Sequence, residues 1–84
     1  MKQIIFIGSP GMLSMLQDTL AGYADVFTSG KADLCICEVS SSHDVSMIPT
    51  RAVIPVFLFI NTRDKSILEM IRKFRISGIF YPPV

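Results

Sequence analysis

The 84-residue chain has little of what most protein chemistries require. Its only histidine, His43, sits among serines, and its only cysteines are Cys35 and Cys37. A zinc-type centre needs more His or Cys close together than this, so no metal is expected. The two cysteines alternate along one apparent strand and so point to the same face. A regular strand holds them too far apart to bridge without distortion. They read as buried thiols in a reducing compartment. Charge of one sign is lacking too: eight Lys and Arg stand against seven Asp and Glu, for a net +1. No global field then favours nucleic acid or an anionic membrane. The longest apolar run, residues 53–60, is interrupted by Pro55 and falls far short of the ~20 residues of a membrane helix. The first, residues 4–7, is too short for the core of a signal peptide. Neither G-x-G-x-x-G nor Gly-Lys-Ser/Thr occurs, so no nucleotide cofactor is indicated. Repeats and internal linkers are missing as well. These absences point to one small domain over residues 1–84, cytoplasmic, without cofactor.

Apolar residues, by contrast, are abundant. Half the chain is hydrophobic and only 18% is charged, with a mean hydropathy of +0.50. A domain of this size buries only about 60–65% of its unfolded surface. The excess apolar surface predicts cover from a second copy, as a homodimer, or from an adjacent domain.

The apolar positions also set the element order. Residues 3–7 are apolar without alternation, the pattern of a strand buried on both faces. Ser9 before Pro10 predicts a helix start, with Ser9 as N-cap and Pro10 in the first turn. Met12, Leu13, Leu16 and Leu20 follow at helical spacing, with Ser14, Gln17 and Asp18 toward solvent, and Gly22 closes the helix. Strands are predicted at 25–28 and 34–39. At most one helical turn fits around 44–48, before Pro49. A buried strand over 53–60 tolerates Pro55 near its start. A helix over 63–76 carries the stripe Ile67, Leu68, Ile71 and Phe74. A last short strand covers 79–81. The order β-α-β-β-(short)-β-α-β argues for a mostly parallel sheet with right-handed crossovers.

In such a sheet, chemistry sits outside the carboxyl ends of the strands. Asp33-Leu34-Cys35-Ile36-Cys37-Glu38 delivers one acid, Glu38, to that edge. The other strands end in Gly8-Ser9, Ile60-Asn61 and Tyr81-Pro82-Pro83. One acid with no second acid, lysine or metal ligand beside it is a poor catalyst, and its plainest reading is a solvated strand-end glutamate. The Gly8-Ser9-Pro10-Gly11 turn invites an anion-binding reading, because helix N-termini bind anions. Pro10 removes a donor amide, however, and a capped tight turn explains the pattern equally. His43 reads as a loop residue that could approach Glu38. Arg63, Lys65, Arg72, Lys73 and Arg75 make the last helix basic, with a Glu69–Lys73 pair expected at i,i+4. That helix is either a solvated face or a docking surface for an acidic partner.

From Pro55 onward the chain resembles the second half of a response-regulator receiver (CheY-like) domain. It has a Pro-Val strand (Pro55-Val56-Phe57-Leu58-Phe59), a helix, then Ser77-Gly78-Ile79-Phe80-Tyr81-Pro82-Pro83-Val84 where the family has a glycine and a strand ending in Lys-Pro-Phe. Ala32-Asp33-Leu34-Cys35-Ile36-Cys37-Glu38 resembles the family's Pro-Asp-Leu strand, and Ile4-Ile5-Phe6-Ile7-Gly8-Ser9 its first. The resemblance implies an α/β, flavodoxin-like, doubly wound parallel sheet. It would be truncated to about five short strands and two main helices, with the family's second and fifth helices missing. The first helix would then cover its face of the sheet alone.

The departures from the family pattern imply a pseudo-receiver. Gly8 and Ser9 stand where an acid pair would hold Mg²⁺. Glu38 replaces the phospho-acceptor aspartate. Ile60 and Asn61 lie at the switch hydroxyl position, and Pro82 at the lysine. Without metal and lysine nothing neutralises a transferring phosphoryl group. The expected function is a non-catalytic, phosphorylation-independent regulatory or protein-interaction module of a bacterial two-component signalling protein, of the kind that forms the N-terminal piece of a longer chain. Met12, Met15, Arg72, Ile76, Phe80 and Tyr81 are the candidate interface. The alternative is a small nucleotide- or anion-binding α/β domain using Gly8 to Gly11.

Overall fold

A computed structural model describes residues 2–49 and 53–81. The elements run β1 (Lys2–Ile7), α1 (Pro10–Thr19), β2 (Ala24–Phe27), β3 (Leu34–Val39), α2 (Ser42–Val45), β4 (Val56–Ile60), α3 (Lys65–Ile71) and β5 (Gly78–Phe80). The five strands form one all-parallel sheet in the order β2-β1-β3-β4-β5. The predicted order of elements is therefore present, and no helix intervenes between β2 and β3. Among the described residues no helix is long and apolar enough to cross a membrane.

Period-2 alternation divides the sheet into two faces. Cys35, Cys37 and Val39 lie in register with Val56, Leu58 and Ile60. They form the larger core with Val45 and Ile48, and with Ile67 and Ile71 of α3. Both cysteines are buried free thiols, as expected. On the opposite face, Ile4, Phe6 and Val26 pack against Met12, Leu13, Leu16 and Leu20 of α1. That helix starts as predicted, with Pro10 in its first turn and the Ser9 hydroxyl accepting from Met12 N–H at 3.4 Å. Gly22 follows its end at φ +87°, a conformation glycine adopts without a Cβ penalty. Gln17, expected in solvent, donates from Nε2 to the Val26 carbonyl at 2.9 Å and ties α1 to the edge strand.

Three expectations need correction. The strand expected over 53–60 begins only at Val56; Val53 is fully exposed. Pro55 has no N–H to donate, and its carbonyl starts the pairing by accepting from Cys35 N–H at 2.9 Å. The helix expected over 63–76 spans only Lys65–Ile71. Asp64 caps it, accepting from Ser66 N–H at 2.9 Å and from the Ser66 hydroxyl at 2.7 Å. At its other end, Lys73 N–H reaches Met70 O at 3.4 Å and Phe74 N–H reaches Ile71 O at 3.0 Å. These i→i−3 bonds tighten and end the last turn. The Glu69–Lys73 pair does not form, because the helix ends at Ile71 and Lys73 N–H turns to an i→i−3 bond, out of i,i+4 geometry. Arg72 meets Glu69 instead, at 3.6 Å. The shorter elements shift by smaller steps: β2 and β5 each begin one residue early, and the single turn of α2 forms at Ser42–Val45 rather than around 44–48.

Candidate functional site

At the carboxyl edge, between the ends of β1 and β3, lies an open cavity of about 450 Å³. Ile7, Gly8 and Ser9 from the end of β1 line it, with Glu38, Ser40, His43, Asp44 and Met47 from the end of β3 and the segment that follows. Strand pairing builds this arrangement. Ile7 pairs with Cys37, so the residues that follow on each strand, Gly8 and Glu38, emerge side by side.

Glu38 is not the solvated strand-end acid expected from its position; it is only 9% exposed. A carboxylate removed from water needs a donor. Ser9 N–H supplies one, at 2.8 Å from Oε1. Gly8 makes that bond possible. A Cβ at position 8 would lie 2.5 Å from Phe6 Cζ, 2.7 Å from Glu38 Cβ and 2.8 Å from Glu38 Oε1. Only a residue without a side chain lets β1 turn this close to the acid.

Asp44 is the second acid at the cavity, and sequence reasoning missed it as a neighbour of Glu38. Its Oδ2 accepts from Ser40 N–H at 2.8 Å and Ser41 N–H at 3.1 Å, which pins the β3–α2 turn. The signal was present in Ser41-x-x-Asp44, a spacing that favours a helix start with a returning acid. His43 is exposed and lines the same cavity as Glu38. Both carboxylates act on the thiol beneath them. Burial chiefly, then Cys35, Asp44 and Glu38, push Cys37 up to about 12, and burial also raises Cys35. Neither thiol is a nucleophile at neutral pH. Among the described residues no three His, Cys, Asp or Glu side chains converge as a metal centre.

The turn into α1 offers little to an anion. Pro10 has no N–H, Met12 N–H is held by the Ser9 hydroxyl, and Leu13 N–H by Ser9 O at 3.0 Å. Ser9 N–H is already taken by a carboxylate. That leaves only Gly11 N–H among the first-turn donors.

The remaining sequence candidates fall elsewhere. Ile60, at the end of β4, is buried in the core, and Asn61 beyond it is exposed, its N–H donating to Val39 O at 2.8 Å. Pro82 lies outside the described residues. The six candidate interface residues do not form one surface. Arg72, Ile76 and Tyr81 line an apolar groove of about 280 Å³ between α3 and β5. Phe80 stands on the α1 face of β5, half-exposed, its ring 5.8 Å from that of Phe57. Met15 is exposed on α1, while Met12 is drawn into packing beneath it. No family model matches this sequence, and no curated protein matches it.

Proposed function

We propose that the chain is a non-catalytic, phosphorylation-independent protein-interaction module of receiver-like, flavodoxin-like architecture, serving a bacterial signalling protein from the cytoplasm. Its strand order supports this reading: 2-1-3-4-5, all parallel, is the flavodoxin-like order, whose switch point lies between β1 and β3. The observation that carries the non-catalytic part is Glu38 at that switch point. It is buried and held by Ser9 N–H, with Gly8 packed against its Cβ. In-line attack on a phosphoryl donor needs cationic neutralisation of the transferring group. Here Gly8 and Ser9 offer no carboxylate for a cation, and among the described residues no lysine or arginine pairs with Glu38. The bare part of the sheet around Phe80, together with the α3–β5 groove, suits contact with a protein partner, a second copy included.

The test is incubation with acetyl phosphate, or with beryllofluoride, at physiological Mg²⁺. The amide NMR shifts of Gly8, Ser9 and Glu38 should not change. Saturable shifts at those residues, or a gain in mass with acetyl phosphate, would overturn the reading.

A further inference from the structure

We propose that the outer edge of β5 pairs antiparallel with β5 of a second copy, joining the two sheets across a two-fold axis at Ile79. The proposal rests on the interaction-module reading and names its partner. Among the described residues β5 ends the sheet. Ile79, Phe80 and Tyr81, consecutive along it, are 44%, 49% and 63% exposed. An exposed apolar edge is a template for strand pairing, and natural sheets blunt it with charge or cover. The other edge, β2, is blunted in both ways: Asp25 is exposed on it, and Gln17 of α1 occupies the Val26 carbonyl. No charged residue stands in 76–81. Two copies of β5 therefore meet without opposed like charges, whereas two copies of β2 would bring two Asp25 side chains onto one short ladder.

The register fixes which backbone groups the edge offers. Along β4, Pro55 O accepts from Cys35 N–H and Asn61 N–H donates to Val39 O, so the odd-numbered residues turn toward β3. Val56, Leu58 and Ile60 turn the other way, and Val56 O accepts from Ser77 N–H at 2.8 Å. Leu58 lies opposite Ile79, between Gly78 and Phe80. In a parallel ladder it bonds to those two neighbours, and the N–H and C=O of Ile79 point to the open edge. A two-fold axis there makes Ile79 and its copy a hydrogen-bonded pair that exchanges both N–H···O bonds. Pro82 and Pro83 follow in the sequence without an N–H between them and limit the ladder's length. Each copy uses this edge once, so assembly closes at two.

The same axis makes the side chains complementary. Gly78 of one copy faces Phe80 of the other as a non-hydrogen-bonded pair, with Cα atoms about 4.5 Å apart. Gly78 has no side chain to fill that space, and Phe57 drapes over it, 2.7 Å from where a Cβ would stand. The incoming Phe80 ring thus covers the glycine and extends the Phe57–Phe80 pair, already 5.8 Å apart, into a cluster of four rings. On the opposite face Ile79 meets its own copy beside the α3–β5 groove. At about 200 Å² per side chain, Ile79, Phe80 and Tyr81 leave roughly 300 Å² open on each protomer, or 600 Å² across the axis. The half-buried Phe57 and Ile76 and the exposed Arg72 adjoin them, which brings about 1,000 Å² within reach, the lower bound for a specific interface. The expected dimer is therefore weak.

The experiment is sedimentation of the whole chain from tenfold below to tenfold above the expected Kd, which is on the order of 100 µM. A reversible monomer–dimer equilibrium is expected. At the high end, an equal mixture of isotope-labelled and unlabelled chain should show NMR contacts between Gly78 Hα of one copy and Phe80 Hα of the other, the signature of this register. Ile79→Lys sets two ammonium groups opposite each other at the axis and should weaken the dimer at least about tenfold. If that variant does not fold, Phe80→Thr, which keeps a strand-forming residue and removes the ring facing Gly78, should weaken it at least about fivefold. A monomer at every concentration would overturn the proposal and leave the edge to a strand of a different protein. A dimer without the Gly78–Phe80 contact, or one equally tight in either folded variant, would overturn it as well. The acetyl phosphate test is independent: a chain that is inert but monomeric fails here alone, and a dimer that takes up the phosphoryl group fails there alone.

Discussion

The two faces of the sheet are built from similarly apolar strands and finished differently. On the face carrying Cys35, Cys37 and Val39, α2 and α3 seal the core, and Cys37, Val39 and Leu58 have no exposed surface. On the other face, α1 covers β1 and β2, and its packing reaches Leu34 and Ile36. Phe57 and Phe59 stay half-buried and Phe80 is 49% exposed. Composition does not separate the two faces. What separates them, among the described residues, is the number of helices available, two on one side and a single ten-residue helix on the other. In a small parallel sheet, strand sequence sets how much apolar surface is made, and the connections decide how much of it is hidden.

The largest expected effect breaks the sealed face. Leu58→Ala opens a cavity in fully enclosed packing and should cost about 3–5 kcal/mol. That is close to the whole stability of a domain this small, about 5 kcal/mol. Phe80→Ala, on the bare face, removes a larger side chain yet should cost only about 1–2 kcal/mol, because half of it is already in water. Chemical denaturation of the two variants measures the contrast, and equal losses would show that the two faces are equally sealed.

A smaller effect is expected where the faces meet the carboxyl edge. Gly8→Ala forces a Cβ against the Phe6 ring and Glu38, an overpacking that should cost about 1–3 kcal/mol. The Ser9 amide resonance should move with it, since the Ser9–Glu38 bond depends on that approach. A variant as stable as the parent, with an unmoved Ser9 amide, would mean that Gly8 is not required there.

The last expected effect belongs to the buried thiols and is absent at neutral pH. Cys37 titrates at about 12 when folded, against an ordinary value of 9.0. Between those values the unfolded chain has lost a proton that the folded chain keeps, so the unfolded state gains as pH rises. The stability contribution is complete below pH 9 and is lost progressively toward 12. Melting temperature should therefore fall across that window, and less steeply in Cys37→Ala. Parallel slopes in the two proteins would contradict the assignment of the alkaline loss to Cys37.

The element order, a mostly parallel sheet, the Ser9 cap and the burial of both cysteines were legible in the sequence, because each follows from local patterning. Short unbroken runs of Ile, Phe and Leu bounded by turn residues favour interior strands, and a Ser-Pro pair before a helical apolar stripe is a helix start. Element ends were read less well at β4 and α3. There the boundary depends on individual bonds, such as Pro55 O with Cys35 N–H and Asp64 with Ser66, rather than on hydropathy. The candidate site was half legible. Glu38, Gly8 and Ser9 could be placed at one edge from the strand ends, but Glu38 reads as solvated when seen alone. Its burial results from the register that sets Glu38 beside Gly8, and from a turn pinned by Asp44, six residues further on. Those are long-range and turn-level relations that strand patterning does not carry. The sequence by itself determined which segments are strands and that an isolated acid ends β3. Only the tertiary structure decided that this acid is enclosed, paired on one oxygen and open on the other, because parallel strands bring residues about thirty positions apart into contact while hydropathy reports only on neighbours.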